Sequence, residues 1–225
     1  VAYNLDLDLS VRGNELRRVN LSGQLGGDKS ASATTNIVPS GRVISYASND
    51  IGAILRFVGV YPRLVGGEGS LVMQYNTASR TEDGEFLIRD FAIVDEANLA
   101  QIVGTHSESR QLIARGNALA FDFGRARFVR SPDRIEVVDA ALHGATVGGT
   151  IRGNILTQTG QYDLAGTYVP LFGLNNVFQQ LPIFGPIFGG REGEGLIGVT
   201  FAVRGPLSAP DILVNPVSIL APGVF

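Results

Sequence analysis

The chain has 225 residues, 44% of them hydrophobic and 17% charged, with 29 Gly, no Cys, no Trp and a formal net charge of −3. It is too apolar for disorder, and the lack of Cys excludes a disulfide framework or a thiolate metal site. Lys29 is the single Lys among 18 basic residues, and no basic stripe is present, which excludes wrapping of nucleic acid.

At the N-terminus Tyr3, Leu5, Leu7 and Leu9 alternate with Asn4, Asp6, Asp8 and Ser10. This period of two marks a strand with one dry and one wet face. The strand is already under way at the first residues, with no basic-then-apolar leader, so a piece of a longer chain is expected. The alternation returns at Val19/Leu21, Leu71/Met73/Tyr75, Leu119/Phe121/Phe123, Ile135/Val137, Ile151/Ile155, Tyr162/Leu164/Tyr168 and Ile197/Val199/Phe201/Val203. Turn-forming clusters separate the runs: Gly26-Gly27-Asp28, Gly66-Gly67-Glu68-Gly69, Glu82-Asp83-Gly84, Ser131-Pro132-Asp133 and Gly148-Gly149. Short connections suit antiparallel hairpins, because parallel strands need crossovers of a dozen or more residues. The expected fold is mainly β: a long antiparallel meander coiled into a groove or partly open barrel, forming one domain over residues 1–225. Leu5, Leu7, Leu9, Val199, Phe201 and Val203 are expected to share its dry face.

Two or three short amphipathic helices are expected within this rhythm. Ser48-Asn49-Asp50 offers N-cap side chains to a helix near 49–60, with Ile51, Ile54, Leu55 and Val58 on one face and Pro62 beyond it. A second is expected at 95–103, capped by Asp95 with Leu99, Ile102 and Val103 on one face, and a shorter third at 175–181. Their polar faces lack the Lys/Arg enrichment of membrane-surface helices, so each is expected to close an end of the β core. Residues 170–190 crowd Phe172, Phe178, Phe184 and Phe188 into a Pro/Gly-rich stretch. That segment is either a plug for the end of the groove or an exposed apolar patch. No apolar run reaches the ~18–20 residues of a membrane span.

Catalytic equipment is not visible. The sequence has no G-x-S-x-G elbow, no H-E-x-x-H and no P-loop. The near-miss Gly66-Gly67-Glu68-Gly69 is taken as a hairpin turn. His106-Ser107-Glu108 is taken as a surface loop, since adjacent loop residues seldom form a triad. The expectation is no enzyme, no metal and no cofactor.

The last eighty residues carry an ordered set of motifs. Gly166-Thr167-Tyr168-Val169-Pro170 is followed by Asn175-Asn176, Leu181-Pro182-Ile183-Phe184-Gly185 and Gly193-Glu194-Gly195-Leu196-Ile197-Gly198. The chain closes through Ala209-Pro210-Asp211-Ile212 and Val214-Asn215-Pro216-Val217-Ser218-Ile219-Leu220-Ala221-Pro222-Gly223. This order resembles the C-terminal region of the AsmA-like family of YhdP/TamB-related bacterial envelope proteins. The match is most specific over residues 144–223, where Pro170, Gly193, Gly195, Pro210, Asn215, Pro216, Pro222 and Gly223 carry it. The resemblance implies the periplasmic part of a protein anchored in the inner membrane of a Gram-negative type of bacterium. It further implies movement of phospholipid between inner and outer membranes through an apolar β groove. Partners would be phospholipid or fatty-acyl chains, and the membranes at the ends of the full-length protein. Two alternatives stand beside it: an ordinary closed core of lipocalin size, and an envelope assembly or structural factor that carries no lipid.

Overall fold

Alternating strands of 4–14 residues, most of them joined by short polar turns, build one antiparallel sheet in which every strand pairs only with its neighbours in sequence. The computed structural model describes residues 3–13, 15–59, 61–95, 118–145, 147–170 and 199–215. Its strands are β1 (Tyr3–Arg12), β2 (Glu15–Gln24), β3 (Ser30–Val38), β4 (Gly41–Ser48), β5 (Leu64–Asn76) and β6 (Thr81–Val94). They continue as β7 (Ala118–Arg130), β8 (Arg134–His143), β9 (Val147–Leu156), β10 (Gln161–Pro170), β11 (Val199–Pro206) and β12 (Asp211–Val214). The sheet is not closed: β1 and β12 are its two edges.

A meander sends successive connections to opposite margins of the sheet. The described connections at 39–40, 77–80, 131–133, 157–160 and 207–210 all fall on one margin, and all are tight. The other margin holds the connection at 25–29, the helix-bearing one at 49–63, and the strand ends where β6, β8 and β10 leave the sheet and β7, β9 and β11 re-enter it.

Helix α1 (Ile51–Phe57) sits on that second margin and packs on β5. Asp50 is its N-cap, accepting from the Ala53 N–H at 2.7 Å. Ile51 is buried and Leu55 packs partly against the core. The helix is shorter than the expected 49–60, and Val58 is exposed beyond its end instead of lying on the apolar face. The reason is Gly59, whose φ of 70° places it in the left-handed region that terminates helices. The helices expected at 95–103 and 175–181 lie outside the described residues.

Three glycine clusters taken as turns are strand interiors. Gly66-Gly67-Glu68-Gly69 lies within β5, Glu82-Asp83-Gly84 within β6 and Gly148-Gly149 within β9. Gly66 and Gly67, with φ of 71° and 93°, form an irregularity facing Asp90 (φ 52°) on β6, so the chain kinks there without reversing. Gly84 instead makes room for the Phe128 ring on the neighbouring strand, and Gly149 lies close to the backbone of Thr167 on β10.

One face of the sheet holds the core. Ile51, Leu64, Ile88, Phe91, Leu119, Phe121, Val147, Tyr168 and Val199 form its main cluster, and Val19, Ala33 and Ile44 a smaller one. Phe91 and Phe121 stack with ring centroids 5.1 Å apart. Ile93 of β6 and Ile212 of β12 line the same hollow, so the sheet curls until distant strands face each other. The opposite face is wet and laced with ion pairs between strands, among them Arg18–Asp8 at 3.1 Å and Arg125–Glu85 at 2.8 Å. Exposed pairs of this kind contribute ~0–1 kcal/mol each.

Candidate functional site

Cross-strand register converts the alternation of single strands into rows that run the length of the sheet. Leu7 pairs with Leu21, which pairs with Ala33, then Tyr46, Leu71 and Phe86. From Phe86 the row continues through Ala126, Ala140, Ile151, Gly166, Phe201 and Val214. One position from each of the twelve strands contributes, and none is charged. At ~4.8 Å per strand the row spans roughly 53 Å.

A second row lies beside it. It runs from Ile44 through Met73, Gly84, Phe128, Val137, Gly153, Leu164 and Val203 to Ile212. Leu9 and Val19 extend it toward β1, where the Thr35 hydroxyl donates to the Val19 carbonyl oxygen at 2.9 Å. Within these rows glycines stand opposite bulky partners. A Cβ on Gly166 would come within 2.6 Å of the Phe201 ring, and one on Gly84 would strike Phe128. Small against large lets the curled face fill without forcing the strands apart.

Between β6 and β12 the curled face encloses an apolar hollow of about 360 Å³. Phe121, Leu142, Ile151, Tyr168, Phe201 and Ile212 are among its walls. The volume falls within the ~300–1,000 Å³ of small-molecule sites. A larger depression of about 680 Å³ mixes Arg125, Arg127, Asp139 and Arg152 with Val138, Ala140 and Phe201. Its four charged side chains set it apart from the apolar hollow.

The tight-turn margin of the dry face is different in kind. Arg42, Tyr75, Glu82 and Arg130 are successive register partners on β4 to β7. Arg42 Nη2 donates to Glu82 Oε1 at 3.3 Å, and Arg130 Nη1 to Glu82 Oε2 at 2.9 Å. The Arg42 guanidinium lies 4.1 Å from the centre of the Tyr75 ring. Arg42 is only 5% exposed, yet its Nε has no hydrogen-bond partner among the described residues. Nearby, burial pushes the Tyr46 phenol above its usual range; Glu82 adds to this and Arg42 opposes it. That hydroxyl therefore stays protonated.

The residues singled out in the sequence fall as follows. Val199 is fully buried, and Phe201 and Val203 are partly buried on the inner face. Leu7 and Leu9 lie on the same face by register, and Leu5 two residues before Leu7, but all three are about half exposed. The cause is position: β1 has a neighbour on one side only, so half of each side chain's surroundings is open. Pro170 ends β10, Pro210 borders the hollow, and the Asn215 N–H donates to the Thr200 carbonyl oxygen at 2.9 Å. Phe172, Phe178, Phe184, Phe188, Gly193, Gly195, Pro216, Pro222 and Gly223 lie outside the described residues, as do His106, Ser107 and Glu108. His143 stands 3.6 Å from Asp122 in an exposed pair. Among the described residues no group of three His, Asp or Glu side chains is gathered to hold a metal, and no helix is long and apolar enough to cross a membrane.

The charged margin was missed in the sequence, although a signal exists. Arg42 is in step with Ile44, and Arg130 with Phe128, so both occupy inward positions of their strands.

No family model, curated protein or solved structure matches this chain. The resemblance of its C-terminal region rests on the residues quoted for it.

Proposed function

We propose that this chain carries the acyl chains of phospholipid along the inner face of its curled sheet, as the periplasmic part of an inner-membrane-anchored protein that bridges to the outer membrane. The observation that carries the reading is the uncharged row from Leu7 to Val214, which crosses every strand. A closed core needs apolar residues that meet each other. A conduit needs them to run on without interruption and to stay open at an end, as the half-exposed Leu7 and Leu9 do. The energetics favour such a device. A phospholipid with two sixteen-carbon tails has about thirty methylenes, and at ~0.8 kcal/mol each their exposure to water costs on the order of 20–25 kcal/mol. Transfer across an aqueous compartment therefore calls for a continuous apolar shield.

The test is native mass spectrometry of protein purified without detergent from bacterial cells. Co-purified phospholipid is expected, and a photo-crosslinking residue at position 71 or 201 should attach to its acyl chains. Protein consistently free of lipid, with no crosslink from either position, would leave the envelope assembly factor as the better reading.

A further inference from the structure

Two guanidiniums share one carboxylate at the tight-turn margin, so the Arg42–Glu82–Arg130 cluster carries one surplus positive charge on an otherwise apolar face. A buried charge is costly unless it is paired and its hydrogen-bonding groups are met. Here neither condition is complete: Arg42 is buried with its Nε unpartnered. The Arg130 side chain is 56% exposed and bonded to Glu82 through Nη1, which leaves further donors within reach of a ligand arriving from solvent. The Arg42 guanidinium lies over the Tyr75 ring, and Ile44 of the second apolar row stands between Arg42 and Tyr46 of the central row along β4.

We infer that this margin binds the phosphate of an amphiphile's head group, seated against Arg130 and Arg42 while its chains lie on the apolar rows. The inference rests on the acyl-chain reading above. A phosphate diester supplies the missing negative charge and several acceptor oxygens, and planar guanidiniums match their geometry. The place fits as well. Phosphate at the margin and chains across the neighbouring rows is the arrangement that keeps the head group wet and the tails dry.

The experiment is calorimetric titration of detergent-free protein with dodecyl phosphate, dodecanol and inorganic phosphate, each below its aggregation limit. Dodecyl phosphate is expected to bind about tenfold or more tighter than dodecanol, the scale of a charge-assisted contact. Arg130→Gln, at a half-exposed side chain, should remove most of that advantage and leave dodecanol binding unchanged. Glu82→Gln, which withdraws the competing carboxylate, should widen the advantage; a cluster that served only to hold strands together would give no such gain. Dodecanol binding with no advantage for the phosphate would overturn the inference and leave the groove standing. If neither amphiphile bound, the groove reading itself would fall, and this one with it. Inorganic phosphate binding as tightly as dodecyl phosphate would assign the cluster to the free anion and overturn the head-group assignment.

Discussion

Phe128 folds its ring over the bare Cα of Gly84, its register partner across β6 and β7. The three atoms nearest to a Cβ added at Gly84 all belong to that ring, and no backbone is among them. Gly84→Ala should therefore destabilise by about 1–3 kcal/mol through overpacking. In a Phe128→Ala background the same change should cost much less, with a coupling of about 1 kcal/mol or more. Urea unfolding of the four proteins in the cycle gives the answer; additive effects would mean that the ring does not need the glycine.

Leu7 and Phe201 lie toward opposite ends of one row in different surroundings, and that separates transport from stability. Leu7→Asp alters a half-exposed position and should shift stability by less than about 1 kcal/mol, while lowering the lipid that co-purifies. Phe201→Asp places an unpaired carboxylate against Gly166 and the hollow, and should cost about 3 kcal/mol or more. Denaturant midpoints and lipid phosphorus, measured on the same preparations, check both. Unchanged lipid in the folded Leu7 variant would count against an open conduit at β1.

Asp50 couples the start of α1 to acid stability. Burial raises the pKa of its carboxyl, but the Lys29 ammonium, the Ala53 N–H and the Arg56 charge together bring it below the usual carboxylate range. The unfolded chain thus takes up this proton at higher pH than the folded one. The stabilisation is whole above the ordinary carboxylate range and is lost as pH falls through the folded value. Asp50→Ala should cost about 1–2 kcal/mol at neutral pH, since it removes an N-cap and leaves Lys29 without this partner. Asp50→Asn, which keeps a capping oxygen, should cost less. Urea midpoints for wild type and Asp50→Asn should converge as pH is lowered from 7 toward 3.

Among the described residues no strand pairs with the outer edge of β1, and Leu5, Leu7, Leu9 and Val11 are each more than half exposed beside it. Edges of this kind recruit further strands unless charge prevents it. The isolated chain should self-associate at high concentration, and Leu9→Lys should shift it toward monomer. Sedimentation velocity over a range of concentrations decides between these outcomes. A chain that stays monomeric throughout would show that Asp6, Asp8 and Arg18 on the wet face protect the edge sufficiently.

The sheet was legible in the sequence because period-two alternation is a local signal, visible within a single strand such as Leu5-Asp6-Leu7-Asp8-Leu9. Glycine was the weak point. Gly26-Gly27 makes a turn, whereas Gly84 clears space for the Phe128 ring, and nothing local separates the two uses. The irregularity at Gly66, Gly67 and Asp90 also puts Phe91 and Ile88 in one core although they lie three residues apart. The charged margin needed more still. Arg42 and Arg130 are separated by 88 positions, and only the pairing of β4 through β7 brings both to Glu82.

Pairing between sequence neighbours alone has a kinetic meaning. Few strands must wait for a distant segment, so most hairpins close a short loop and the mean sequence separation of contacts stays low for an all-β chain. Such topologies fold faster than sandwiches that join remote strands. Assembly can begin at any hairpin and spread outward, as in a solenoid. The two longest connections slow this little, because loop entropy grows only with the logarithm of length. A conduit built this way can also be lengthened in evolution by whole hairpins, each new pair of strands extending the inner row by ~10 Å and leaving the existing registers undisturbed.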